Sequence, residues 1–276
     1  PIVYLHELKA IQQERRKKTA MHLSEGLFFL ALIVITGIFI FRSVRRQIKW
    51  QIQQQNFMMA VTHELKTPIA LIQGYAEGLN ENISDDPESR EFYCEVIMDE
   101  ASKMNKLVKN LLTLNQLESG KDAPVMERFD IVSLIRGVLG SMHIMIEQKE
   151  ATVIFEETEP VYVWADEFKI EEVVTNYTSN ALNHLDGERK VEIKVLQEED
   201  CVKVTVFNTG TPIPEEDIPN LWNKFYKVDK ARTREYGGSG IGLSIVKAII
   251  ESMNQKYGVC NYDNGVEFWF TLDCRQ

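Results

Sequence analysis

Gly26 to Phe41 reads GLFFLALIVITGIFIF, sixteen residues without one charged side chain. Ala20 to Ser24 extend the run, with Glu25 as the interruption, to about twenty residues. At about 1.5 Å per residue this is enough helix to cross roughly 30 Å of hydrocarbon. A helix in a soluble core would keep a polar face, and this run has none. A secretory signal would start earlier and end at a small-residue cleavage site. The run over 26–41 is therefore read as a transmembrane helix, with residues 1–25 as a juxtamembrane remnant outside the cell. Proline rather than methionine at position 1 reads as a piece of a longer protein, with any further domain and earlier membrane crossing upstream.

Charge divides the chain at the same place. Residues 1–50 carry nine basic and three acidic side chains, leaving the other 226 residues at a net −16 within an overall −10. An acidic body argues against a nucleic-acid binder, which needs a basic face. Arg42, Arg45, Arg46 and Lys49 crowd the C-terminal end of the apolar run and place that end in the cytoplasm. The cluster at Arg15 to Lys18 weakens that vote. Cys94, Cys201, Cys260 and Cys274 form no CxxC pair, so neither a metal-ligand spacing nor a disulfide framework is present. They read as inert thiols in a reducing compartment.

From Arg42 to Pro68 there is no Gly or Pro, which predicts a helix continuing from the membrane, past a bend at Pro68, to about Asn80. A second helix starts near Pro87. Its apolar residues recur at Tyr93, Ile97, Ala101, Met104, Leu107, Val108, Leu111 and Leu114, and Gly120 stops it. Two antiparallel helices cannot bury such stripes alone; a second copy would complete a four-helix bundle, so a homodimer is expected.

Residues 125–276 read as α/β. Val191, Ile193 and Val195, then Val202, Val204 and Val206, then Val266, Phe268, Phe270 and Leu272 alternate with polar residues as half-buried strands do. Helical patterns occupy roughly 130–148, 166–185 and 241–254. The expected arrangement is helices on one face of a mixed sheet.

Three segments concentrate chemistry. Val61 to Pro68 reads VTHELKTP, and a zinc-protease reading fails because Thr67 stands where the second histidine is needed. A lone helical histidine such as His63 is more often an exposed or satisfied side chain than a catalytic one, and Thr67 lies one turn on. Asn176 and Asn180 lie four apart, on one helix face. The cluster Gly237-Gly238-Ser239-Gly240-Ile241-Gly242-Leu243 lacks both Rossmann and Walker spacing. It leaves either a flexible linker or a loop feeding a helix N-terminus, where free N–H groups suit phosphate.

His63-Glu64-Leu65-Lys66-Thr67-Pro68 resembles the phosphoacceptor box H-E-x-x-T-P of the sensor histidine kinases of bacterial two-component systems. The stretch MNKLVKNLLTLNQLES resembles the end of that family's second helix. Asn176 to His184, Asn208-Thr209-Gly210-Thr211-Pro212, Phe225 to Arg232 and the glycine cluster resemble, in order, the N box, first glycine box, phenylalanine box with lid, and second glycine box of the GHKL ATPase fold. The resemblance covers about residues 55–276.

It implies a transmembrane helix, a dimeric antiparallel hairpin (42–120) and an α/β sandwich of the GHKL type (121–276). The enzyme implied binds Mg-ATP, phosphorylates His63 and passes the phosphoryl group to an aspartate of a response regulator receiver domain. By position, Asn180 would hold Mg²⁺ with Asn176 nearby, and Asn208 would read adenine beside Gly210. Lys227 and Arg232 would approach the phosphates, and the backbone at Gly238, Gly240, Gly242 and Leu243 would cradle them. Thr67 would position the water that dephosphorylates the regulator, and Asn183 and His184 border the nucleotide.

Three positions depart from the pattern: Asn208 replaces the usual Asp, Pro212 a glycine, and Asn183 a common phosphate-contacting Lys or Arg. They give a foothold to an alternative, an ATP-binding pseudokinase scaffold or phosphatase-only receptor. A chaperone- or topoisomerase-type ATPase leaves His63-Glu64 and the apolar run unexplained. Only twenty-two residues separate Phe41 from His63, too few for a two-helix relay module, so direct mechanical coupling through the helix is expected.

Overall fold

The computed structural model describes residues 2–81, 86–120, 123–156, 159–228 and 239–274. It divides into two units, Pro1–Ala60 and Val61–Gln276. Helix α1 (Ile2–Asn80) passes unbroken through Pro68. In the first unit the apolar residues of its long apolar run, among them Phe28, Ile33 and Phe39, are exposed where described, and the helix is long and apolar enough to cross a membrane. The Thr36 hydroxyl donates back to the carbonyl oxygen of Leu32 at 2.8 Å, so even this polar group is satisfied within the helix.

In the second unit the end of α1 pairs with α2 (Pro87–Glu118). Asp86 caps α2 by accepting from the Ser89 N–H at 2.9 Å, Pro87 fills the first turn, and Gly120 beyond the last turn takes a φ of +63°. Near the turn the helices meet through aromatic rings: Tyr75 stands edge-on to Tyr93 at 5.0 Å between centroids. Gly78 lies directly beneath Tyr93.

The remainder is built on a seven-stranded sheet. Strands β1 (Glu127–Asp130), β2 (Thr152–Ile154), β3 (Tyr162–Ala165), β4 (Lys190–Gln197), β5 (Cys201–Thr209), β6 (Tyr257–Tyr262) and β7 (Gly265–Asp273) follow the spatial order β1-β3-β7-β5-β4-β2, with β6 paired to β7. All pairings are antiparallel except β2 with β4. Helices α3 (Ile131–Ser141), α5 (Glu167–Asn183) and α6 (Gly242–Ser252) cover one face, and the short α4 (His143–Gln148) follows α3. The expected single helix over 130–148 is thus two. Gly137 and Gly140 weaken its last turns, and buried Met142 ends it.

The alternation expected for β4, β5 and β7 is observed: Val191, Ile193, Val204, Phe268 and Phe270 are buried. On the other face Lys194 pairs with Glu192 at 3.1 Å, and Lys203 lies over the Trp269 ring at 4.9 Å. Tyr177 of α5 fills the space above β7, 5.4 Å from the Phe268 ring centroid. Its hydroxyl donates to the Trp269 carbonyl oxygen at 3.3 Å.

Two aspartates fix the starts of α5, which lines the site, and of α3 beside it. Asp166 accepts from the Lys169 N–H at 3.1 Å at the start of α5 and from the Val125 N–H at 2.9 Å. Asp130 caps α3 through the N–H groups of Val132 and Ser133, and accepts from the Val161 N–H at 2.9 Å. Burial opposes ionisation of Asp130. Donors from Ser133, Val161 and Val132 nevertheless hold its carboxyl below the usual range.

A carboxyl depressed on folding adds stability above its unfolded pKa and loses it as the pH falls through the folded value. Asp130→Ala should therefore cost about 1–2 kcal/mol at pH 7. That gap should narrow below about pH 4, measured by denaturant unfolding of residues 61–276.

Candidate functional site

The second unit contains a cavity of about 620 Å³ at one end of the sheet, within the range of small-molecule sites. Its walls come from segments that lie far apart in sequence. Helix α5 contributes Asn176, Asn180 and Asn183 along one face, with His184 at its end; β5 contributes Asn208; the following loop contributes Thr211 and Pro212; and Lys227, Ser239, Gly240, Gly242 and Leu243 line it as well.

The asparagines are used differently. The Asn176 amide donates to the Glu172 carbonyl oxygen one turn back at 2.8 Å, which turns its own oxygen toward α6. There Gly242 is required, since a Cβ would stand 2.7 Å from Asn176 Oδ1. Asn180 makes no side-chain hydrogen bond among the described residues, so its amide oxygen is available to the cavity. Asn208 is 3% exposed, and its amide donates to the carbonyl oxygens of Thr209 at 3.2 Å and His184 at 3.4 Å. Both donors are thereby spent on backbone, leaving Oδ1 as an acceptor.

Helix α6 begins at Gly242 with no side-chain cap. Its first N–H groups are those a cavity anion would meet, at the positive end of the helix dipole. The approach to this turn is held tightly: the Phe225 N–H donates to the Gly240 carbonyl oxygen at 2.8 Å. Gly240 takes a φ of +69°, and a Cβ there would be 2.9 Å from the Phe225 backbone. Phe225 itself sits at φ +60°, an uncommon conformation for a bulky residue. The Tyr226 hydroxyl donates to Asp217, and both border the cavity.

His63 and Thr67 are exposed on α1, and Glu64 is half-buried. Lys227, a cavity residue, donates to Glu64 Oε1 at 2.8 Å. This contact joins positions 163 apart in sequence, and it brings the residue beside His63 to the edge of the cavity. Of the residues singled out from the sequence, Gly210 does not line the cavity; its N–H donates to the Asn264 carbonyl oxygen at 3.0 Å. Arg232 and Gly238 lie outside the described residues.

Sequence reasoning missed one further wall. Helix α2 supplies Lys103, Lys106, Leu107 and Asn110 to the cavity. Its three-to-four spacing was legible, but as the stripe of a bundle.

The Glu64–Lys227 pair is partly buried, with side chains 29% and 14% exposed. A double-mutant cycle of Glu64→Gln and Lys227→Gln in residues 61–276 should give a coupling of about 1 kcal/mol in thermal unfolding. No coupling would mean that the contact holds nothing.

Two family models match the chain in succession. "His Kinase A (phospho-acceptor) domain" covers residues 53–120, and "Histidine kinase-, DNA gyrase B-, and HSP90-like ATPase" covers 165–276. Sensor protein kinase WalK of Staphylococcus epidermidis is 30% identical over 245 residues, covering 87% of this chain and 40% of the relative. A WalK sequence from Staphylococcus aureus is 29% identical, covering 87% of this chain and 59% of the relative. The chain thus spans well under two thirds of the curated relatives it matches.

Among solved structures, the histidine kinase ThkA in complex with response regulator protein TrrA matches with a TM-score of 0.64 and 30% identity, over 78% of this chain and 60% of that one. Acinetobacter baumannii histidine kinase AdeS shares the fold, with a TM-score of 0.65 and 22% identity, over 78% of this chain and 98% of that one. With both models matched in order, and relatives of the same kind at this identity, the chain belongs to the sensor histidine kinases of two-component systems.

Proposed function

We propose that this chain is the membrane-anchored kinase portion of a two-component receptor, organised as 26–41 in the membrane, 42–120 for dimerisation and phosphotransfer, and 121–276 for ATP binding. It transfers the terminal phosphoryl group of ATP to His63, and from there to an aspartate of a response regulator. One observation carries this reading: Lys227 lines the cavity and bonds the residue next to an exposed histidine.

The chemistry follows from the groups at hand. Asn208 Oδ1 is an acceptor for the adenine amino group, unassisted by charge. The first turn of α6 and Lys227 offer donors to the phosphates. Among the described residues no cluster of His, Cys, Asp and Glu could hold a metal by itself. A Mg²⁺ would therefore take the Asn180 amide oxygen together with phosphate oxygens and water, as suits a hard cation. It would supply charge neutralisation at the transferring phosphoryl group. On this reading a ring nitrogen of His63 attacks phosphorus, while Glu64 orients the other nitrogen. Thr67, exposed one turn on, positions a water for the reverse task of dephosphorylating the regulator.

Supporting the membrane placement are the exposed apolar run of α1 and the basic residues just beyond it; Arg45 packs over the Phe41 ring at 4.4 Å. Supporting a homodimer are the apolar residues left exposed on the hairpin, among them Ile69, Leu71, Val108 and Leu112. The helix that carries the apolar run is the one that carries His63. A stimulus would therefore act on the histidine without an intervening module.

Incubation with γ-labelled ATP should label the wild-type chain with an acid-labile, alkali-stable phosphate that is absent in His63→Gln. Asn180→Ala should lower labelling at least roughly tenfold. Failure of the wild type to label, with ATP still bound, would favour the phosphatase-only alternative that Asn183 and Asn208 suggest. Thr67→Ala should keep the label while losing phospho-regulator hydrolysis.

A further inference from the structure

Among the described residues three lysines line the cavity, and they are not equivalent. Lys227 is paired with Glu64 at 2.8 Å. Lys103 of α2 is held by Asp99 and Glu100, each at 2.7 Å. Lys106, one turn further along α2, is exposed, borders the same space, and forms no ion pair among the described residues. On the lobe side, α5 presents neutral side chains to the cavity, Asn176, Asn180 and Asn183.

The position of α2 gives Lys106 a target. The helix packs against α6, whose uncapped first turn opens into the cavity, and Leu107, the next residue, is only 6% exposed. Lys109 faces Glu172 of α5, a carboxyl that burial pushes up and Lys109 draws back down. This places α2 alongside the stretch of α5 that leads into Asn176 and Asn180.

We infer that Lys106 is a phosphate ligand of the nucleotide, supplied by the hairpin to a cavity whose α5 wall is lined by neutral asparagines, so that the nucleotide site is complete only with the ATPase lobe seated on α2. The inference rests on the ATP-binding reading above. It adds that bound nucleotide itself draws the lobe onto the helix beside His63.

The test is nucleotide affinity, measured by calorimetry on the full chain in nanodiscs, with Mg²⁺ and a non-hydrolysable ATP analogue, and separately with adenosine. Lys106→Gln should weaken the analogue roughly tenfold, as expected for one charge-assisted hydrogen bond. Adenosine affinity should stay within about twofold, Lys106→Arg should bind like wild type, and Lys109→Gln should be unchanged. An unchanged analogue affinity in Lys106→Gln would overturn the assignment, as would an equal loss for adenosine, which marks a merely structural role. A wild-type chain that binds no analogue would overturn the ATP reading and this inference with it.

Discussion

The seating of α2 on the ATPase lobe is the contact on which the rest of the site depends. Leu107 and Leu114, seven residues apart on one helix face, are 6% and 3% exposed and belong to the same apolar cluster as Ile241, Ile245 and Ile249. Each buried leucine contributes roughly 1.5–3 kcal/mol, and Leu65, Leu111 and Leu117 pack against the same cluster. Without this seating the cavity would lack a wall. Lys227 would then have no route to Glu64.

The polar contacts across the same surface are of a weaker and more exchangeable kind. Lys224 reaches Glu118 at 2.7 Å near the end of α2, and Lys227 reaches Glu64 at 2.8 Å. Half-exposed pairs of this sort add little stability but set register and orientation. An ammonium group carries three donors, so Lys227 can hold Glu64 and a phosphate oxygen together. Apolar seating and exchangeable ion pairs would suit, on the proposed function, a lobe that approaches a histidine for one step and leaves it for the next.

Much of this was legible in the sequence because the relevant signals are local. The alternation in β4, β5 and β7 follows from burial of one sheet face. The limits of α2 follow from Asp86, Pro87 and Gly120, and the asparagines four apart on α5 do share a cavity wall. Strands β1, β2 and β3 span only three or four residues each, too short for a period to register. Strand β6, YGVCNY, exists because β7 offers it a partner across a tight turn, not because its own pattern demands it. Lys106 and the Glu64–Lys227 pair were invisible for a different reason. Each depends on which face of a distant element is presented, and the apolar stripe of α2 reads equally well as a dimer seam or as a seat for the lobe.

A crystal structure of residues 61–276 with Mg²⁺ and a non-hydrolysable ATP analogue tests the central claim most directly. The account predicts a triphosphate lying between the first turn of α6 and α2, with Asn180 on the metal and the adenine at Asn208. A nucleotide found elsewhere, or a lobe that binds it only after leaving α2, would contradict it.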